Sequence, residues 1–263
     1  MRVILATAES LRHRYAATAV AAATELVGVV SEAKPPRLPC AEPPEDRAVL
    51  ERHWVERAEA ERRLLGGGVG SVGTDVLRVA AGAINDAEVA QWIDERRPDV
   101  LILFGASIVK PPLLDTYAGR VVNVHLGLSP YYRGSGTNFW PLVDRRPECI
   151  GATMHLAVAQ VDAGPILAQV RPEPDVTDRA HELGTKTVVT VFSALPRVLE
   201  RYAEGKLKLR PQGLEAGRVF RRDQFNAAAV RRTWHHFATG MMAEYIEALD
   251  TRRAAYPIVA LAN

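Results

Sequence analysis

The chain has 263 residues, of which 48% are hydrophobic and 24% charged, and its formal net charge is +2 at pH 7. These values are typical of a globular protein with one large domain and a small appendage, and they give no indication of a nucleic-acid partner. No apolar run approaches the roughly 20 residues of a membrane span, and the opening residues lack the pattern of a signal peptide. The two cysteines, Cys40 and Cys149, are too few for a disulfide scaffold and do not have metal-ligand spacing. We therefore expect a cytoplasmic protein without a membrane partner and without a metal site.

Predicted strands and helices alternate through the first half of the chain. Short apolar runs predict strands, and amphipathic or capped segments predict helices between them. The predicted strands are 3–6, 26–30, 76–79, 99–105 and 121–125, and the predicted helices are 10–24, 46–66 and 85–98, with a short helical turn at 111–120. Alternation of this kind favours an α/β fold with a doubly wound, mostly parallel sheet of the Rossmann type.

The second half departs from strict alternation. Two further strands are predicted at 149–156 and 166–170, which could pair in antiparallel register, before a long amphipathic helix that ends near Gly205. A short arm and a helix around 227–250 follow. We therefore predict a catalytic domain over residues 1–205 and a short helical C-terminal appendage over residues 206–263.

The stretch VVNVHLGLSPYYRG, which begins at Val121, ends a predicted strand with two polar residues. Asn123 and His125 are two residues apart, so their side chains project from the same face of that strand. In open α/β sheets, ligands bind beyond the carboxyl ends of the strands. An amide can stabilise an oxyanion and an imidazole can move a proton, so this pair suits acyl chemistry. A histidine at a strand end also has ordinary structural uses.

A second polar position is Asp162, in the turn VDAG between the two later strands. Aspartate followed by glycine two residues on is common in hairpin turns, and Asp162 considered alone predicts no more than a turn.

Together, NVHLGLSPYYRG and IGATMHLAVAQVDAGPILAQ resemble the 10-formyltetrahydrofolate-dependent formyltransferase family. Its pattern is Asn-x-His at a strand end, a loop rich in proline and glycine, and a later Asp-x-Gly turn. The resemblance implies catalytic roles for Asn123, His125 and Asp162. Asn123 would donate a hydrogen bond to the oxyanion of a tetrahedral intermediate, His125 would assist proton transfer, and Asp162 would orient His125. The run HLGLSP departs from the HPSLLP type of several members at Leu126 and Gly127.

The same resemblance implies 10-formyltetrahydrofolate as the formyl donor. Its pterin would lie between the segment after the fourth strand and the VDAG loop. The residues expected to contact it are Leu103, Phe104, Gly105, Ala106, Ile108, Gln160, Val161 and Gly164. The alternative reading of the apolar residues at 101–104 is simply a core strand.

The acceptor expected from the resemblance is a primary amine of a small molecule, an amino sugar or sugar nucleotide first. The loop beside the predicted centre offers Tyr131, Tyr132, Arg133 and Asn138 for such a molecule. The first strand is not followed by a glycine-rich phosphate loop, which argues against a ribonucleotide acceptor. We interpret the basic C-terminal helix as a solvated surface, so we do not expect a nucleic-acid partner. A homodimer stays open. Two alternatives stay open: formyltetrahydrofolate deformylase, and a folate-binding relative without catalysis.

Overall fold

A computed structural model describes residues 1–34, 43–213 and 217–261. Cys40 lies outside these residues. Within them, seven strands form one sheet in the order β3-β2-β1-β4-β5-β7-β8. Two further strands, β6 and β9, form a small separate sheet. The strands are β1 (Arg2–Thr7), β2 (Glu25–Glu32), β3 (Val76–Val79), β4 (Val100–Leu103), β5 (Val121–His125), β6 (Tyr132–Gly134), β7 (Ala152–Leu156), β8 (Ile166–Val170) and β9 (Arg218–Phe220).

The helices cover both faces of the large sheet. They are α1 (Leu11–Ala23), α2 (Pro44–Leu65), α3 (Ala87–Glu95), α4 (Leu113–Thr116), α5 (Trp140–Val143), α6 (Ala180–Ala203), α7 (Ala227–Ala238), α8 (Met241–Glu247) and α9 (Leu249–Ala254). Apolar side chains of α1 and α6 pack on one face, and those of α3 and α4 pack on the other. β4 is buried along its whole length, as its continuous apolar run requires. The predicted doubly wound, mostly parallel α/β fold is confirmed.

At β5 the parallel pairing of the sheet ends and antiparallel pairing begins. β5 pairs with β4 in parallel and with β7 in antiparallel register. β7 in turn pairs with β8 in antiparallel register. The predicted antiparallel pair is therefore present, although β7 begins at Ala152 because Pro147–Cys149 forms a 3-10 turn.

Helix α2 contacts α1, α6 and α7. Its connection to α1 is electrostatic. The buried carboxylate of Glu61 accepts hydrogen bonds from Arg12 Nε at 2.8 Å and from Arg57 Nε at 2.7 Å. Two guanidinium groups compensate this buried charge, as a buried carboxylate requires.

The C-terminal part differs from the single helix predicted at 227–250. It forms the three helices α7, α8 and α9, because Gly240 adopts a left-handed conformation with φ of +84° between the first two. The loop around Tyr132 also contains a strand that was not predicted, since β6 pairs in parallel with β9. The division into domains at Gly205 stays a prediction. Among the described helices, none is long and apolar enough to cross a membrane.

Candidate active site at the end of β5

Asn123 and His125 lie on the sheet face that α3 and α4 cover. Val122 and Val124 alternate with them and point into the core under α1 and α6. Asn123 pairs with Leu103 of β4 on one side and with His155 of β7 on the other. The two polar side chains predicted from the strand pattern therefore share one face at the carboxyl end of β5.

Asp162 reaches both of them from the loop between β7 and β8. Its Oδ1 accepts a hydrogen bond from Asn123 Nδ2 at 3.2 Å, and its Oδ2 lies 3.5 Å from His125 Nδ1. Gly134 N donates to the same Oδ2 at 3.3 Å. The structure thus brings Asp162, which lies 39 residues after Asn123 in the sequence, to the Asn123 and His125 pair. Asp162 has a left-handed backbone with φ of +50°, which is uncommon for a residue other than glycine.

Gly164 lets this loop fold back over the sheet. A Cβ atom at residue 164 would lie 1.8 Å from the carbonyl oxygen of Leu156. Only glycine permits such a close approach of two backbone segments. Gly164 therefore has a structural reason to follow Asp162, besides the predicted contact with the pterin.

His125 is buried, and both of its ring nitrogens face hydrogen-bond acceptors. Nε2 lies 3.4 Å from the carbonyl oxygen of Tyr132, and Nδ1 faces Asp162. Burial lowers the pKa of His125 below its ordinary value; the carboxylate of Asp162 raises it, and His155 lowers it. His125 is therefore neutral at pH 7. When it takes up a proton, both of its N–H groups face acceptors.

The pKa of Asp162 results from opposing effects. Burial by itself raises it, but the imidazoles of His155 and His125 and the N–H of Gly134 lower it to about 2. Asp162 is consequently an anion at every pH at which the protein would be assayed.

His155 belongs to this cluster and was not predicted from the sequence. Its Nε2 lies 3.1 Å from Asn123 Nδ2, and its Nδ1 lies 2.9 Å from the carbonyl oxygen of Leu156. In the sequence it occupies the middle of an apolar strand, TMHLA. His155 could have been identified only from its position opposite Asn123, and that position follows from the register of β5 and β7.

Gly127 explains why HLGLSP departs from the more common run. A Cβ atom at residue 127 would lie 2.6 Å from His125 Nε2 and 2.6 Å from Thr137. A serine or proline there would collide with the imidazole in this arrangement. The loop is held instead by Thr153, whose hydroxyl donates to Gly127 O at 2.7 Å and accepts from Ser129 N at 3.0 Å.

The residues expected to contact the pterin fall into two groups. Leu103, Phe104 and Gly164 are buried, and Phe104 packs against Phe192 and His13 in the core. The exposed residues of the set are Gly105, Ile108, Gln160 and Val161, and Ala106 is partly buried. Ile108 and Val161 are 53% and 49% exposed, which leaves apolar surface in both segments proposed as pterin walls.

The four residues expected to contact the acceptor have partners in the protein. Tyr131 donates its hydroxyl hydrogen bond to Pro257 O at 2.8 Å, and Tyr132 donates to Asp144 at 2.8 Å. Asn138 Oδ1 accepts from Gly151 N at 3.0 Å. Arg133 is 9% exposed. Their contact with an acceptor stays a prediction.

An open cleft of about 780 Å³ lies at the carboxyl ends of β1, β2 and β3. Its lining includes Thr7, Arg14, Ser31 and Arg78, and one wall is formed by the segment 70–76. His13 lines the same cleft and also approaches the end of β4, since a Cβ atom at Gly105 would lie 2.5 Å from His13 Nε2. Among the described residues, no group of histidine, cysteine and carboxylate side chains is arranged to hold a metal ion.

Sequence comparisons match the chain to formyl transferases. The family model described as formyl transferase matches residues 23–199. Phosphoribosylglycinamide formyltransferase of Escherichia coli is 30% identical over 125 residues, which are 47% of this chain and 58% of that protein. The corresponding protein of Haemophilus influenzae is 25% identical over 126 residues, which are 48% of this chain and 59% of that protein. The chain therefore spans somewhat more than half the length of the curated relatives it matches.

Solved structures show the same fold at lower identity. Glycinamide ribonucleotide transformylase 1 from Symbiobacterium toebii superposes with a TM-score of 0.56 at 19% identity, over 81% of this chain and 94% of that one. A sugar N-formyltransferase from Shewanella sp. superposes with a TM-score of 0.56 at 16% identity, over 86% of this chain and 78% of that one. Because the family model matches well over half of the residues, the chain belongs to the formyl transferase family.

Proposed function

We propose that the protein transfers the formyl group of 10-formyltetrahydrofolate to a primary amine of a small molecule, with an amino sugar or sugar nucleotide as the acceptor. The observation that carries the proposal is the convergence of Asn123, His125 and Asp162 at the end of β5, in a chain of this family. The three groups are an amide donor, a neutral imidazole and a carboxylate, which together suit acyl transfer.

The proposed reaction begins with attack of the neutral amine on the formyl carbon. A new C–N bond forms, and the carbonyl electrons become an oxyanion. Asn123 Nδ2 donates a hydrogen bond to that oxyanion. Collapse of the tetrahedral intermediate breaks the bond between the formyl carbon and the folate nitrogen. The proton that the attacking amine loses must reach this leaving nitrogen.

His125 is the group proposed to carry that proton. It is neutral at pH 7, so it has an available lone pair when the amine must be deprotonated. Once protonated, its two N–H groups face the Tyr132 carbonyl and the Asp162 carboxylate. Asp162 thus stabilises the imidazolium transiently and orients the ring.

Two surfaces of the protein could bind the two substrates. For the donor, the exposed apolar residues Ile108 and Val161 offer surface to a pterin ring. For the acceptor, the cleft beside His13 carries Arg14 and Arg78, which could bind an anionic group. Arg78 already pairs with Glu9 at 3.0 Å, so Arg14 is the better candidate. This placement supports an acceptor with a phosphate or diphosphate.

Phosphoribosylglycinamide is a second candidate acceptor. It is favoured by the 30% identity to the phosphoribosylglycinamide formyltransferase of Escherichia coli. The sequence ATAESLRHRYA after β1 lacks a glycine-rich phosphate loop, which is the reason to place this acceptor second.

The first test is binding of 5-formyltetrahydrofolate, a stable analogue of the donor, measured by calorimetry. Micromolar affinity supports the donor site, whereas no binding at millimolar ligand contradicts it. Transfer is then measured with sugar nucleotides that carry an amino group and with phosphoribosylglycinamide. Formate release without an amine would indicate a deformylase, and binding without turnover across the panel would indicate a non-catalytic relative.

The residue test uses Asn123→Ala, His125→Ala and Asp162→Ala. Loss of an oxyanion donor lowers kcat by about 10²- to 10³-fold in other acyl-transfer enzymes, and we expect Asn123→Ala to do the same. We expect the other two variants to lose most activity as well. Circular dichroism and thermal unfolding confirm that each variant is folded. A folded His125→Ala protein with near-normal activity would exclude the proposed mechanism.

A further inference from the structure

His155 has no part in the transfer steps above, yet it lies in the centre of the cluster. It belongs to β7, is 2% exposed, and faces Asn123 across the antiparallel pair. A fully buried imidazole must find partners for both nitrogens or lose stability. Its two partners determine which nitrogen carries the proton.

The contact to Leu156 determines the tautomer. His155 Nδ1 lies 2.9 Å from the Leu156 carbonyl oxygen, which can only accept a hydrogen bond. Nδ1 is therefore the protonated nitrogen. In the neutral imidazole, Nε2 then has no hydrogen and acts as an acceptor.

The nitrogen of the Asn123 amide lies between two acceptors. It is 3.1 Å from His155 Nε2 and 3.2 Å from Asp162 Oδ1. An amide NH₂ has two hydrogens, so each acceptor receives one. The direct separation of His155 Nε2 from Asp162 Oδ1 is 3.6 Å, longer than either contact with the amide. The arrangement directs the amide nitrogen of Asn123, and not its oxygen, towards Asp162.

The two histidines of the site therefore differ in what their surroundings favour. His125 faces two acceptors, the Tyr132 carbonyl and the Asp162 carboxylate, which suits a ring that gains a proton. His155 has its two shortest polar contacts with an acceptor, the Leu156 carbonyl, and with a donor, the Asn123 amide, which fits a ring that carries its hydrogen on Nδ1.

From this geometry we infer that His155 is a positioning residue, which holds the Asn123 amide by accepting one of its hydrogens, so that the other hydrogen, which points towards Asp162, can be shared between the Asp162 carboxylate and the formyl oxygen. The inference rests on the proposed formyl transfer at this site. Without His155, Asn123 can rotate and present its oxygen, which repels an oxyanion. His155 thus acts through Asn123 and makes no contact with the reacting atoms.

The first test does not depend on activity. Nitrogen NMR of the ¹⁵N-histidine-labelled protein, with His155→Leu used to assign the signals, reports the tautomer of each ring. We expect Nδ1 of His155 to carry a hydrogen and Nε2 to carry none, both in the free protein and with 5-formyltetrahydrofolate bound. A proton on Nε2, or a doubly protonated ring, overturns the inference.

The second test is kinetic. His155→Leu removes the acceptor at similar volume, and we expect kcat to fall about 10- to 100-fold because misplacement of a reacting group has effects of this size. The KM for the formyl donor should change little. His155→Gln offers an acceptor oxygen near the position of Nε2, and we expect it to restore most of kcat. Equal kcat in His155→Leu and the wild type overturns the inference, as does a Gln variant no better than Leu when both are folded.

His236→Leu is the matched control. His236 of α7 also places Nδ1 at 2.8 Å from a leucine carbonyl, that of Leu142, but it lies outside the cluster. We expect this variant to keep the kcat of the wild type. If His155→Leu does not fold, His155→Gln serves to assign the NMR signals, and its kcat is compared with that of the wild type. If no amine is formylated by the wild type, the proposed function fails, while the NMR result still reports whether His155 holds Asn123.

Discussion

At the scale of single residues, burial and hydrogen-bond partners assign different tasks to chemically equal groups. His125 and His155 are both buried imidazoles, and each has a ring nitrogen within 3.6 Å of the Asp162 carboxylate. One faces two acceptors and the other a donor and an acceptor. Because the partners differ, the His125 ring is suited to gaining a proton, whereas the His155 ring is suited to accepting a hydrogen bond at Nε2.

Removal of the Asp162 charge tests this electrostatic assignment. Burial lowers the pKa of His125, and the Asp162 carboxylate opposes that shift. We therefore expect Asp162→Asn to lower the pKa of His125 further, as measured by NMR titration of the ring. Asp178→Asn is the control, because it removes another buried carboxylate that pairs with Lys186 at 2.7 Å instead. An unchanged or higher pKa in Asp162→Asn would contradict the assignment.

At the scale of secondary-structure elements, the loop between β7 and β8 determines whether Asp162 reaches the site. Its return over the sheet depends on Gly164, which packs against the Leu156 carbonyl. Helix α6 contains Gly184, at which a Cβ atom would meet no atom within 4 Å. We therefore expect alanine substitution to have opposite effects on stability at these two glycines.

We expect Gly164→Ala to destabilise the protein by about 1–3 kcal/mol, the usual effect of overpacking, and to lower kcat because Asp162 is displaced. Gly184→Ala should instead stabilise the protein by about 0.5–1 kcal/mol, since alanine favours the helix. Denaturant unfolding and steady-state kinetics on both variants provide the comparison. Equal stability of the two variants would show that the close approach at Gly164 is not a constraint.

At the scale of the whole molecule, two partly buried histidines, His13 and His181, make stability depend on pH. Burial, assisted by the nearby charge of Arg12, lowers the pKa of His13 to about 3. Burial and the charge of Arg57 lower that of His181 to about 4. In the unfolded chain both groups bind a proton near pH 6.5. The unfolded state therefore binds more protons than the folded state below that pH.

It follows that the free energy of unfolding decreases as the pH falls from about 6.5 towards 4, by about 1.4 kcal/mol per pH unit for each such group. Above pH 6.5 both histidines are neutral in the folded and the unfolded chain, so the free energy of unfolding is not reduced by them. Denaturant unfolding at pH 7, 6 and 5 measures the slope, and His181→Gln should reduce it by about one proton. The same slope in the variant and the wild type would mean that His181 is not held neutral by the fold.

The sequence by itself determined the features that depend on local pattern. Alternating apolar runs and helical periodicity predicted the doubly wound sheet, and the i, i+2 spacing placed Asn123 and His125 on one face. These predictions succeeded because side-chain direction in a strand follows from covalent geometry alone. The resemblance to formyltransferases, carried by the same residues, gave the family.

Only the tertiary structure decided which distant residues meet. His155 became part of the site because the register of β5 and β7 places it opposite Asn123, and no local pattern encodes that register. The pairing of β6 with β9 joins segments that are more than 80 residues apart, so neither short strand was predictable alone. The burial that lowers the pKa of His125 likewise arises from packing around the whole sheet. The sequence determines local geometry, whereas contacts between distant residues, burial and proton positions depend on the folded chain.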